Sequence, residues 1–121
     1  MNFTVVFVFD GFFRPVDNLP IINLAKAGSA VPLKFSLNGY QGMAIIAAGY
    51  PRVQPVVCSV GTIDEVDTTV NAGGSSLSYD PLTDQYNYVW KTDKNWANKC
   101  LDLNVKLVDG TEHVARFQFK K

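Results

Sequence analysis

The stretch Cys100-Leu101-Asp102-Leu103-Asn104-Val105-Lys106-Leu107-Val108-Asp109-Gly110-Thr111-Glu112-His113-Val114-Ala115-Arg116-Phe117-Gln118-Phe119 decides the fold. Leu101, Leu103, Val105 and Leu107 alternate with polar residues, and so do Ala115, Phe117 and Phe119, with His113 continuing their series. Period-two alternation puts each set on one face of a strand. Directly opposed residues of an antiparallel pair point the same way, so these sets match only across a loop with an odd number of residues. Val108-Asp109-Gly110 supplies it, with Gly110 in the left-handed conformation of a G1 bulge. Phe117 then faces Leu101, Ala115 faces Leu103, and His113 faces Val105.

The same parity test applies upstream. Leu77 and Tyr79 must match Tyr86, Tyr88 and Trp90, which requires an even loop. Pro81-Leu82-Thr83-Asp84, closed by Asp80 and Gln85, provides one, and proline directly after aspartate suits the second position of a type I turn. Two hairpins agree with their own turn chemistry, which is the consistency a foldable β sequence shows.

Working outward, alternating segments broken by Gly, Pro, Asn and Asp predict strands over 3–9, 21–26, 31–37, 43–48, 54–60, 64–71, 76–80, 85–91, 100–107 and 111–119. Helical periodicity is scarce, and Gly73-Gly74-Ser75-Ser76 reads as a loop between strands. The pattern is that of an all-β sandwich or barrel. At 121 residues and 13.4 kDa the chain suits one domain, 1–121, that folds on its own core. It reads as one part of a longer protein.

Eleven basic against eleven acidic residues give no net charge, hence no overall footprint for nucleic acid or an anionic membrane. The apolar opening lacks the basic start and small-residue cleavage site of a signal peptide, and stops at Asp10, so it reads as a buried strand. No run approaches the roughly 20 apolar residues of a membrane helix, so no membrane insertion is expected. One histidine and two cysteines are too few ligands for a tetrahedral zinc site, and no cofactor motif is present.

His113, the sole imidazole, would have to serve any Ser/His or Cys/His nucleophile system, but its parity places it on the core face, so a structural role and no catalytic residues are expected. Asp64, Glu65 and Asp67, and separately Asp80 and Asp84, are carboxylate clusters without calcium-loop spacing, so no metal site is expected. Of the aromatics, Tyr86, Tyr88 and Trp90 read as core. Trp96 is either a binding residue on a loop or a plug over one end of the sandwich, and Tyr40 and Tyr50 in Gly-flanked loops are further candidates for glycan contact. Lys34 raises the idea of a lysine–asparagine cross-link, but Val31, Leu33, Phe35 and Leu37 take the inner face and leave it outside. Phe3, Val5, Phe7 and Phe9 share one side of the first segment, which suits either a central strand or a strand donated to a neighbouring copy.

Cys58 and Cys100 both fall in strand-like segments. Bonded, they would close a loop of about 43 residues, worth ~4 kcal/mol on the chain-entropy model, in an oxidising compartment. Unbonded, they would be two small buried hydrophobes.

Val31-Pro32-Leu33-Lys34-Phe35 resembles the motif that names the PxKF domain family, carried by Pro32, Lys34 and Phe35. The likeness continues through Gly11-Phe12-Phe13-Arg14-Pro15-Val16-Asp17-Asn18, Ala27-Gly28-Ser29-Ala30 and Ala47-Ala48-Gly49-Tyr50-Pro51. It extends over Ser75-Ser76-Leu77-Ser78-Tyr79-Asp80, then Tyr88-Val89-Trp90-Lys91-Thr92-Asp93-Lys94 with Trp96, and Cys100. The resemblance implies an immunoglobulin-like antiparallel sandwich exported from a bacterium to its surface or surroundings, with cysteines at both positions, which favours the Cys58–Cys100 bond. It assigns no activity. The expected role is therefore a non-enzymatic structural module whose partners are other domains of a parent protein or copies of itself. A glycan-binding module and a fibre subunit joined by its N-terminal strand are the alternatives.

Overall fold

The computed structural model describes residues 6–58, 60–66 and 75–121. Among these residues eight strands form in chain order: β1 Ile22–Lys26, β2 Ala30–Phe35, β3 Arg52–Val56, β4 Ile63–Glu65, β5 Ser76–Asp80, β6 Gln85–Lys91, β7 Cys100–Lys106 and β8 Glu112–Lys120. They build two sheets, one ordered β3-β7-β8-β1-β4 and one ordered β2-β6-β5. Orders β2-β6-β5 and β3-β7-β8 are compatible with the B-E-D and C-F-G strands of an immunoglobulin-like sandwich. The departures are β1, which runs parallel to both β8 and β4, and β4 itself at the outer edge.

Both parity arguments hold residue by residue. Leu101 pairs with Phe117, Leu103 with Ala115 and Val105 with His113, and Gly110 closes the turn at φ +92°. In the other hairpin Leu77 pairs with Tyr88, Tyr79 with Tyr86, and Asp80 with Gln85. The inward sets of the two sheets meet: Val31, Leu33, Phe35, Tyr86 and Trp90 from one, Leu101, Leu103, Val105, Ala115, Phe117 and Phe119 from the other. Burial of each Val, Leu and Phe among them stabilises the fold by roughly 1.5–3 kcal/mol.

Other expectations are corrected. Over 43–48 there is one isolated bridge, Ile46 to Leu107, instead of a strand. Ile45 is fully buried there, so its apolar character fills the end of the core while the backbone crosses it as a loop. The strand expected over 54–60 runs 52–56, and the one expected over 64–71 is seen only as 63–65, with 67–71 outside the described residues. Residues 6–9 form no strand. Phe3 and Val5, like Asp67, Gly73 and Gly74, lie outside the described residues, while Phe7 and Phe9 pack against this chain's own core. The Phe7 N–H donates to an Asp109 carboxylate oxygen (2.7 Å), a side-chain anchor where a strand ladder was expected.

Two asparagines hold the irregular segment before β1. Asn23, fully buried, accepts from the Asp17 N–H (2.8 Å) and donates to the carbonyls of Asp17 (3.0 Å) and Arg116 (3.1 Å). Asn18 pairs with Phe12 in both directions, at 2.7 and 2.9 Å. These amide groups satisfy backbone polar atoms that no ladder reaches.

Candidate functional site

The connection from β6 to β7 carries the chemistry of interest. Asp93 caps a short 3-10 turn, Lys94–Trp96, by accepting from the Asn95 N–H (2.8 Å). This turn sets the Trp96 ring against Trp90 (centroids 5.7 Å apart) and Phe119 (5.5 Å). Trp90 is buried, 5% exposed, whereas Trp96 keeps part of its ring in solvent. The β1–β2 turn faces it. Gly28 sits at φ +87°, and a Cβ there would lie 3.2 Å from Lys94 Cβ, so glycine permits both the turn and the close approach. The Gly28 N–H donates to the Thr92 hydroxyl (3.0 Å), which donates to the Ser29 carbonyl (2.6 Å), and Lys91 Nζ donates to the Gly28 carbonyl (2.6 Å).

Between these two segments lies an open cleft of about 530 Å³, lined by Gly28, Lys91, Thr92, Asp93, Lys94 and Trp96. It has one indole wall, a hydrogen-bonded floor, and a rim bearing a carboxylate and an ammonium. Trp96 is thus a plug on its inner side and a cleft wall on its outer side.

Tyr40 and Tyr50 are not brought to this cleft. Tyr40 stacks over Tyr86 (6.3 Å, 13°) and meets Tyr79 (5.0 Å), beside the start of β6, whereas Trp90 and Trp96 mark its other end. Tyr50 lies under the Arg52 guanidinium, 4.6 Å from its ring centroid, just before β3. Tyr86 has a structural task. Its buried hydroxyl accepts from the Gln41 N–H (2.7 Å) and donates to the Gly42 carbonyl (2.8 Å), and burial raises its pKa.

His113 is half-buried beneath the Phe9 ring, with centroids 3.7 Å apart. Its Nε2 lies 2.9 Å from the Thr111 hydroxyl, which donates to Asp109 (2.6 Å). The hydroxyl proton is therefore committed to the carboxylate, and burial pushes the imidazole pKa down.

Lys34 points outward from β2 opposite Asn87 and lines a shallow polar hollow of about 220 Å³ with Ser78, Asp80 and Gln85. Pro32 also faces out, and Phe35 is fully buried against Tyr86 (5.6 Å), so the three motif residues divide between two faces.

The acidic residues pair in ways the sequence did not suggest. Glu65 binds Lys120, while the neighbouring Asp64 carboxyl group, together with burial, raises the Asp17 pKa. Asp84 accepts from the Tyr79 hydroxyl (2.7 Å), the Ser36 hydroxyl (3.0 Å) and the Gly39 N–H (3.1 Å), which lowers its pKa and tethers the β5–β6 turn to the end of β2. Among the described residues no group of three or more His, Cys, Asp or Glu side chains converges as a metal site.

Cys58 and Cys100 are bonded, with Cα atoms 5.2 Å apart. Cys100 pairs with Val56 in the ladder, so the bond lies within one sheet, tying the chain just past edge strand β3 to the start of β7. No helix among the described residues is long and apolar enough to cross a membrane. Comparison with models of protein families, with curated proteins and with solved structures finds no match to this chain.

Proposed function

We propose that this chain is a non-enzymatic, force-transmitting module of an exported bacterial surface or secreted protein, the setting its resemblance to PxKF domains implies. The observation that carries the reading is the parallel pairing of β1 and β8, the first and last strands among the described residues. Ile22 to Lys26 of β1 pair in register with Arg116 to Lys120 of β8. Tension drawn through the two ends of the chain pulls these strands in opposite directions along their length. It therefore loads all the crosswise hydrogen bonds together, whereas peeling would break them singly. The disulfide supports an oxidising compartment and places a second lock behind this clamp.

Pulling single molecules from both ends tests the proposal. One resolved rupture event is expected, and under reductant the released length grows by about 140–150 Å, the reach of the 42-residue span between Cys58 and Cys100. Gradual extension with no rupture event would overturn it. The fibre alternative is not advanced, because Phe7 and Phe9 are already engaged by this chain's own core.

A further inference from the structure

The zero net charge hides a polarised distribution. Lys26, Lys91, Lys94, Lys99, Lys120 and Lys121 account for six of the eleven basic residues, and all lie on segments that meet at the Trp96 end of the sandwich. Lys26 is in register with Lys120, the Ala27 N–H donates to the Lys120 carbonyl, the Phe119 N–H donates to the Lys99 carbonyl, and the Lys99 N–H donates to the Trp96 carbonyl. Asp93 is the carboxylate on the cleft rim, while on β4 Glu65 is neutralised by Lys120 and Asp64 lies against Asp17. The Trp96 cleft therefore opens at an end of the sandwich where lysines outnumber carboxylates, with Lys91 and Lys94 in its lining.

We propose that this cleft binds an acidic saccharide, a pyranose carrying a carboxylate. A pyranose has an apolar C–H face and a hydroxyl edge, and the cleft offers a matching division. The exposed part of the Trp96 indole is held by Trp90 and Phe119 as a fixed platform for the apolar face. Lys94, exposed on the rim and without a hydrogen bond or ion pair among the described residues, meets the sugar carboxylate. The Asp93 carboxylate keeps one oxygen beyond its cap to Asn95 and accepts from a sugar hydroxyl.

The volume, about 530 Å³, falls within the range of small-ligand clefts. The bonds linking Gly28, Thr92, Ser29 and Lys91 fix the floor before any ligand arrives, which limits the ordering cost of binding. This inference is independent of the mechanical reading.

The test is an NMR titration of the full chain with sialyllactose and with tetragalacturonate, beside lactose and cellotetraose as neutral controls. An acidic sugar is expected to shift the amides of Gly28 and residues 91–96 and the Trp96 indole N–H, while the neutral sugars do so far more weakly. Trp96→Ala should weaken binding about tenfold. Lys94→Glu, which alters an exposed side chain and leaves the fold intact, should weaken it roughly fivefold, with the loss shrinking as salt is added. The proposal is overturned if neither acidic sugar moves these signals at millimolar concentration, if neutral sugars bind equally well, or if Lys94→Glu binds as tightly as the native chain.

Discussion

The Phe9 ring lies nearly flat on the His113 imidazole, 22° from parallel. That contact, with the bond from the Phe7 N–H to Asp109, fastens the chain ahead of β1 to the β7–β8 hairpin. The two anchors are linked, because the Thr111 hydroxyl joins His113 to Asp109.

Stability should therefore depend on the protonation of His113. Burial holds the folded imidazole below its ordinary value of 6.5, with Asp109 opposing in part. Between the two values the unfolded chain binds more protons, so stability rises with pH there. The contribution is complete above about pH 6.5 and is lost as pH falls through the folded value. Urea midpoints measured across this window should fall on acidification in the native chain and stay flatter in His113→Gln.

Asn23→Ala should destabilise the fold by about 3 kcal/mol, because three backbone groups, two on Asp17 and one on Arg116, lose their partner. Denaturant unfolding checks the size. Hydrogen exchange should show the loss concentrated before β1 and in the middle of β8.

Asp84→Ala should return the Tyr79 hydroxyl, pushed up to about 12 chiefly by its bond to Asp84, toward the ordinary value of 10. Ultraviolet titration of tyrosinate formation reads this directly. The same variant frees the Ser36 hydroxyl and the Gly39 N–H, so the loop after β2 should exchange its amides faster.

Replacing both Cys58 and Cys100 by alanine should lower stability by about 4 kcal/mol on the chain-entropy model. The comparison is denaturant unfolding of the variant and the oxidised native chain. Equal midpoints would mean that the span between the two cysteines is already restrained in the unfolded state.

Much of the sandwich was legible because hairpin parity is a local property: Leu101 and Phe117, or Tyr79 and Tyr86, are fixed by a short loop and the alternation beside it. Where the backbone finds side-chain partners, alternation misled. Residues 6–9 carry an apolar series on both sides, yet Val6 and Val8 are exposed and Asp109 holds the backbone. Ile45 and Ile46 showed strand-like apolarity but close the core from a loop. Nothing in the sequence marks Asn23, since one of its partners, the Arg116 carbonyl, lies 93 residues away along the chain.

The candidate site was half visible. Trp96 stood out as a loop aromatic, whereas its separation from Tyr40 and Tyr50 is a tertiary fact. The gathering of lysines around it is equally tertiary, and a net-charge count sums it away.

The position of β8 has a consequence for how the domain comes into being. It is the last strand among the described residues, yet it sits between β7 and β1 inside its sheet. A chain emerging from its N-terminal end therefore cannot join β1 and β4 to β3 and β7 until β8 has emerged. This sheet waits for β8 and then closes contacts between segments far apart in the sequence, a topology that favours slow assembly. Until β8 emerges, the two halves of this sheet have no strand to join them.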